Sequence, residues 1–116
     1  MSTITEVLAD VDRMDAKAFA SYLAEDCMLR YANADEVVGR DAIEVAIAGF
    51  FSTIKGLSHH IVEQWDVDDT TIAQLEATYT RMDDRRVTLP AVTIYRRGAD
   101  LIDEYRVYVD LAPVYA

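Results

Sequence analysis

Two histidines stand side by side at His59 and His60, opening the run "HHIVEQWDV". Side chains alternate across a strand, so one of the two faces the interior whatever the register. An inward imidazole is a candidate general base or orienting donor, because histidine changes charge near neutral pH. The bland alternative is a buried or mouth-lining ring without a chemical role. Tyr31 and Asn33 stand in "RYANADEVVGRDAIEVAIAGFF", a short polar segment between a strand-like run and an apolar helix. A phenol and an amide there can hold a polar group. They can also be an amphipathic core residue and a stabiliser of the turn before Gly39. Asp103 supplies a candidate second carboxylate, and Tyr79 and Tyr105 two further phenols.

Alternation places these groups relative to one another. If Tyr79 faces inward, so do Ala73, Leu75, Ala77 and Arg81, and the equivalent set on the last strand is Asp103, Tyr105, Val107 and Val109. The cavity between them is mostly apolar, with room left by the alanines and a few polar groups, the usual character of a small-molecule site. Tyr79, Tyr105, Trp65, Val107 and Phe50 are its ligand-binding candidates. Tyr79 and Tyr105 read equally as cross-strand packing, and Trp65 as core or mouth packing. Arg81 and Asp103 read as a cross-strand ion pair. Arg106, Tyr108, Asp110, Ile102 and Glu104 fall on the opposite, outer face with Gln74, Glu76, Thr78 and Thr80. That mixed polar and aromatic face suits a sheet-to-sheet homodimer.

Composition removes several function classes. The chain has 116 residues, 21 acids against 11 bases and a formal charge of -10. A phosphate-backbone binder needs a basic stripe, and the only basic clusters are the pairs Arg85-Arg86 and Arg96-Arg97, next to turn signals. Nucleic acid and anionic membranes are therefore not expected partners. Cys27 is the single cysteine, so no intramolecular disulfide forms. No Cys/His metal spacing and no glycine-rich phosphate loop is present, so no metal and no cofactor is expected. Acids near the N-terminus and the absence of an apolar core there argue against a signal peptide. No apolar run reaches the roughly 18 residues of a membrane span. The expected location is the cytoplasm.

The elements that must position these residues follow from periodicity. Ile4, Val7, Leu8 and Val11 recur on one helical face, started by a Thr3–Glu6 capping box. Asp15 caps a second short helix carrying Phe19, Tyr22 and Leu23, and "CMLRY" reads as a strand. Asp41 caps a third helix with the stripe Ile43, Ile47, Phe50, Phe51 and Ile54, ending near Lys55-Gly56. From Ser58 onward come four long runs rich in β-branched and aromatic residues, separated by "DD", "DD" and "GAD" turns. Helices followed by an antiparallel meander indicate an α+β fold: a curved antiparallel sheet wrapped, cone-shaped, around three N-terminal helices. Pro90 marks a bulge or an edge.

This order, with "YLAEDCMLRYANADEVVGRDAI", the His59…Trp65 pair, "YTRMDDRRVTLP" and "YRVYVDLAPVYA", resembles the nuclear-transport-factor-2-like superfamily and within it the SnoaL-like proteins. The resemblance spans 1–116 as a single SnoaL-like domain, implies the cystatin-like α+β roll and favours His59 over His60 as the inward ring. Tyr31 and Asn33 also match the tyrosine and asparagine with which limonene-epoxide-hydrolase relatives hold an attacking water. The Asp–Arg–Asp set of those relatives is not retained: the alignment puts Ala77, Tyr79 and Val107 in its place. Ketosteroid-isomerase relatives need a carboxylate base, a tyrosine and a protonated aspartate. The alignment offers Tyr31, Val7 and Val92, and a phenol is a poor base at neutral pH.

Fold does not give function, and three readings stay open. The first is cofactor-free acid–base chemistry on a small hydrophobic molecule, of isomerase, cyclase or hydrolase type, with His59 moving the proton, Tyr31 and Asn33 positioning, and Asp103 as second carboxylate. The second is ligand binding without catalysis. The third is a dimeric interaction module whose cavity is filled by Phe50, Phe51 and tyrosine side chains.

Overall fold

The structure is a computed structural model that describes residues 3–116. Helix α1 (Ile4–Asp12) starts in the expected capping box: the Thr3 hydroxyl accepts from the Glu6 amide, and the Glu6 carboxylate accepts from Thr3. Its apolar face buries Ile4, Val7 and Leu8 and half-buries Val11. Met14, at a φ of 55°, turns the chain into α2 (Ala16–Ala20), which Asp15 caps through the Ala18 amide. Tyr22 and Leu23 lie beyond this helix, and Leu23 already opens strand β1 (Leu23–Tyr31).

After the short strand β2 (Val37–Val38) comes α3 (Arg40–Phe51). Its cap is Gly39, not Asp41: Gly39 has a φ of 104°, which only glycine adopts freely, and Asp41 lies in the first turn. There its charge meets the positive end of the helix dipole. The helix stops at Ser52, and Gly56 already belongs to the sheet, where a Cβ would stand 3.1 Å from the Thr80 hydroxyl.

Four long strands follow: β3 (Gly56–Val67), β4 (Thr70–Thr80), β5 (Arg86–Arg97) and β6 (Ile102–Tyr108), then a short helix α4 (Ala112–Tyr115). The sheet order is β2-β1-β6-β5-β4-β3. The four long strands form the expected antiparallel meander, and β1 joins it in parallel against β6. β6 pairs with only the Val92–Arg97 part of β5, so Pro90 stands where β5 has a free edge. The concave face of the sheet carries the core: Thr71, Ala73, Leu75, Ala77 and Tyr79 from β4, with Ala91, Thr93, Tyr95, Ile102, Tyr105 and Val107 from its neighbours. The helices cover this face. Among the described residues no helix is long and apolar enough to cross a membrane.

Two strand irregularities decide which side chains reach the interior. The β3–β4 register shifts between Ile61 and Glu63, leaving Val62 as an extra residue. Beyond it Trp65 pairs with Ile72 on the convex face and is 43% exposed, so it is neither core nor mouth packing. The β5–β6 register shifts between Arg96 and Arg97, with Asp103 the unpaired residue. Ile102 therefore enters the core, against the outward placement expected of it, and Asp103 turns to Arg96 at 3.4 Å. Arg81 does not meet Asp103 either; it pairs with Asp83 and donates to the main-chain oxygens of Pro113 and Ala116.

Candidate functional site

A cavity opens where α1, α3 and the concave sheet meet. His59, Tyr31, Tyr79, Tyr105, Val107 and Phe50 line it, together with apolar side chains that include Leu8, Val11 and Phe51. The space left free of atoms, mouth included, is about 470 Å³, but only about 20 Å³ is open to the centre of a water molecule. That is room for about one water.

His59 is the better of the two histidines for chemistry. It faces Ala77 on the inner side of the sheet, while His60 pairs with Glu76 and is exposed. The His59 side chain is only 7% exposed, and its Nδ1 lies 2.5 Å from Asp12 Oδ1. The second oxygen of that carboxylate accepts the His59 main-chain N–H at 3.1 Å. One acid thus fixes both ends of the residue. A carboxylate has no hydrogen to give, so in the neutral imidazole Nδ1 carries the hydrogen and Nε2 the lone pair. Among the described residues no buried side-chain polar atom lacks a partner. Nε2 has no protein partner among them, so it keeps some exposure, and His59 is one of the residues that line the cavity.

Asp12 was not among the residues singled out from the sequence, although a signal was there. Ile4, Leu8 and Asp12 form one row along α1, each four residues from the next, and the first two are buried. An acid continuing an apolar row is out of place. It also sits in the last helical turn, where the dipole disfavours a negative charge. The donors of His59 offset both penalties.

The second polar group is a pair of phenols. The Tyr31 and Tyr79 hydroxyls are 2.7 Å apart. Burial pushes both phenols up, Tyr31 most strongly. Their mutual hydrogen bond raises Tyr31 further and works against the rise of Tyr79, so Tyr79 is the one whose ionised form the pair supports. Burial also raises Tyr105, with Tyr95 adding to it and a hydrogen bond with Thr93 opposing it. All three stay protonated near neutral pH and act as hydrogen-bond donors, not bases. Burial pushes the Cys27 thiol up to about 12, which keeps it out of nucleophilic chemistry.

Three candidates lie elsewhere. Asn33 is exposed and lines a surface hollow with Arg30, Ala32 and Arg106. Ala32, at a φ of 53°, ends the strand just after Tyr31, so alternation no longer carries Asn33 inward. Trp65 is on the convex face and Asp103 in its surface ion pair, as described above. Among the positions aligned with catalytic residues of relatives, Val7 and Ala77 are buried, Tyr79 and Val107 line the cavity, and Val92 pairs with Gln74 and Tyr108 on the convex face. No three His, Cys, Asp or Glu side chains among the described residues converge as metal ligands would.

The SnoaL-like domain family matches residues 4–105, which takes in every cavity-lining residue but Val107. The chain belongs to that family. No curated protein matches this SnoaL-like chain in sequence. Among solved structures, a Burkholderia pseudomallei NTF2-like protein of unknown function is 18% identical, with 100% of both chains covered and a TM-score of 0.88. A Catenulispora acidiphila protein with a ketosteroid-isomerase-like fold, in complex with trimethylamine, is 18% identical, with 96% of this chain and 87% of that chain covered and a TM-score of 0.87. An M. tuberculosis LEH-like epoxide hydrolase is 12% identical, with 97% and 83% covered and a TM-score of 0.79. At these identities the likeness is one of fold, the α+β roll of the superfamily.

Proposed function

We propose that this SnoaL-like protein is a cofactor-free acid–base catalyst that moves a proton on carbon next to a carbonyl in a small hydrophobic molecule. The observation that carries the reading is the Asp12–His59 pair, which leaves Nε2 of a cavity-lining imidazole without a protein partner beside a mostly apolar cavity. Nε2 takes the proton from the α-carbon, and Asp12 stabilises the imidazolium that forms. The electron pair moves to the carbonyl oxygen, which accepts a hydrogen bond from the phenol pair, with Tyr79 the stronger donor. In a β,γ-unsaturated carbonyl the proton then returns from Nε2 to the γ-carbon, an isomerisation; alternatively the enolate carbon attacks a second carbonyl of the same molecule, whose π pair moves onto its oxygen and takes the proton back from Nε2, a cyclisation. Asp12 takes the part read for Asp103, and Tyr79 replaces Asn33 beside Tyr31. The loss of the Asp–Arg–Asp set speaks against epoxide hydrolysis.

The test uses 2-tetralone, a two-ring ketone with exchangeable α-protons, in deuterated buffer. Exchange faster than in buffer alone, lost in His59→Ala, supports the reading. Exchange at the buffer rate in wild type contradicts it and favours ligand binding without catalysis. That second reading draws on the narrowness of the cavity and on the trimethylamine bound by the Catenulispora relative.

The protein acts as a cytoplasmic homodimer in this reading. The convex face carries the cross-strand row Trp65, Ile72 and Ile94, with Val92 and Tyr108 in the next row. Trp65 and Tyr108 are exposed and the other three half-buried, and an aromatic and aliphatic patch of this kind suits burial against a second copy.

A further inference from the structure

The cavity as it stands admits about one water molecule, so no organic substrate enters unless a lining side chain moves. Three of the lining residues are only half-buried, Val11, Tyr31 and Phe50, and His59 keeps a little exposure. Tyr31 is tied to Tyr79 and His59 to Asp12 by hydrogen bonds. Val11 is β-branched and on a helix, where its rotamer is nearly fixed. Phe50 alone is large, half-buried and without a polar tether. Its ring lies 4.9 Å from Tyr31 and 6.4 Å from Tyr79, centroid to centroid. On the other side of it is a surface groove with about 160 Å³ open to the centre of a water molecule. That groove shares Leu29, Tyr31, Ile47 and Phe50 with the cavity, and its far wall includes Ala46 and Leu111. The lining is overwhelmingly apolar, with Asp35 its one charged residue.

We propose that cavity and groove are two halves of one binding site, that Phe50 is the door between them, and that the substrate is a neutral, largely apolar molecule too long for the cavity alone. This rests on the reading of the cavity as an acid–base site. The oxygen-bearing end reaches the phenol pair and Nε2, and the apolar remainder lies in the groove. The inner half is too small to hold the whole molecule, and the outer half offers a charge only Asp35, whose exposure makes it a weak partner even for a cation. Asp35 disfavours an anionic tail.

The probe is 2-naphthol, a neutral two-ring phenol whose fluorescence reports its surroundings, mixed with protein in a stopped-flow instrument. With the door closed most of the time, the apparent association rate is reduced by the open fraction. Phe50→Ala should raise that rate about tenfold or more. Ala46→Trp, a substitution at an exposed α3 position, fills the groove and should weaken binding about tenfold. Wild-type rates in Phe50→Ala, or wild-type affinity in Ala46→Trp, would overturn the proposal. So would failure of both wild type and Phe50→Ala to take up 2-naphthol. His59→Gln separates the two claims: it should lose α-proton exchange, while Phe50→Ala should still speed probe uptake when combined with it. Exchange that survives in His59→Gln beside faster uptake in Phe50→Ala would remove the catalytic reading and leave the door standing.

Discussion

The imidazole Nδ1 of His59 lies 2.5 Å from the carboxylate of Asp12, a residue 47 positions earlier in the chain. The contact joins the last residue of α1 to the first half of β3, and it decides the tautomer of the ring. Asp12→Asn should therefore loosen the preference for hydrogen on Nδ1, because an amide can either donate or accept. Nitrogen-15 spectra of the imidazole read this directly: hydrogen on Nδ1 and none on Nε2 in the neutral ring of wild type, and a mixed population in Asp12→Asn. The same tautomer in both proteins would remove Asp12 from its role as positioning residue.

The phenol pair should be energetically coupled. Removing either hydroxyl leaves its partner buried with an unmade hydrogen bond, at about 1–3 kcal/mol. Urea unfolding of Tyr31→Phe, Tyr79→Phe and the double variant should give single losses in that range, and a double loss well short of their sum. Strict additivity would mean that the hydroxyls do not act as a pair.

Alkaline conditions should unfold the protein through its buried acids. Tyr31, Tyr79, Tyr95 and Tyr105 are all raised on folding, chiefly by burial. The unfolded chain then loses these protons first. Their contribution to stability is complete below about pH 10, the ordinary value for tyrosine, and shrinks as pH climbs through the folded values. Cys27 acts earlier, between its ordinary 9.0 and about 12. Urea midpoints should fall steadily above pH 9, and phenolate absorbance from these four rings should grow with the loss of circular dichroism, not before it. A flat midpoint up to pH 11 would contradict this.

The convex-face row predicts a specific dimer defect. Trp65→Glu puts a charge at the β3 end of the row, where a second copy would bury it without a partner. Sedimentation should show a dimer for wild type and a monomer for the variant, with the circular dichroism unchanged. A wild-type monomer would mean that the patch serves no second copy.

Much of this arrangement was legible in the sequence, and three of the exceptions share one physical cause. The Thr3–Glu6 capping box, the helix stripes and the meander all follow from local chemistry and periodicity. So does the inward face of β4, where a regular ladder keeps Ala73, Leu75, Ala77 and Tyr79 together. Asn33, Trp65 and Asp103 were displaced because alternation fails after a single irregular residue. The left-handed Ala32 ends one strand, the extra Val62 reverses the face of Trp65, and Asp103 is itself the extra residue of a bulge. Such one-residue insertions leave no periodic trace, since they depend on how the partner strand is paired. Asp12 was missed for a different reason. Its partner is remote in sequence, and only the fold brings α1 against β3.

The central claim is that His59, set by Asp12, moves a proton inside the cavity. The most direct measurement is the rate at which 2-tetralone takes up deuterium at its α-carbons, followed by proton NMR for wild type, His59→Ala and Asp12→Asn. The account predicts exchange well above the buffer rate in wild type and a loss of about 10²–10⁴-fold in His59→Ala, with Asp12→Asn between the two. Exchange that is unchanged by His59→Ala would contradict it.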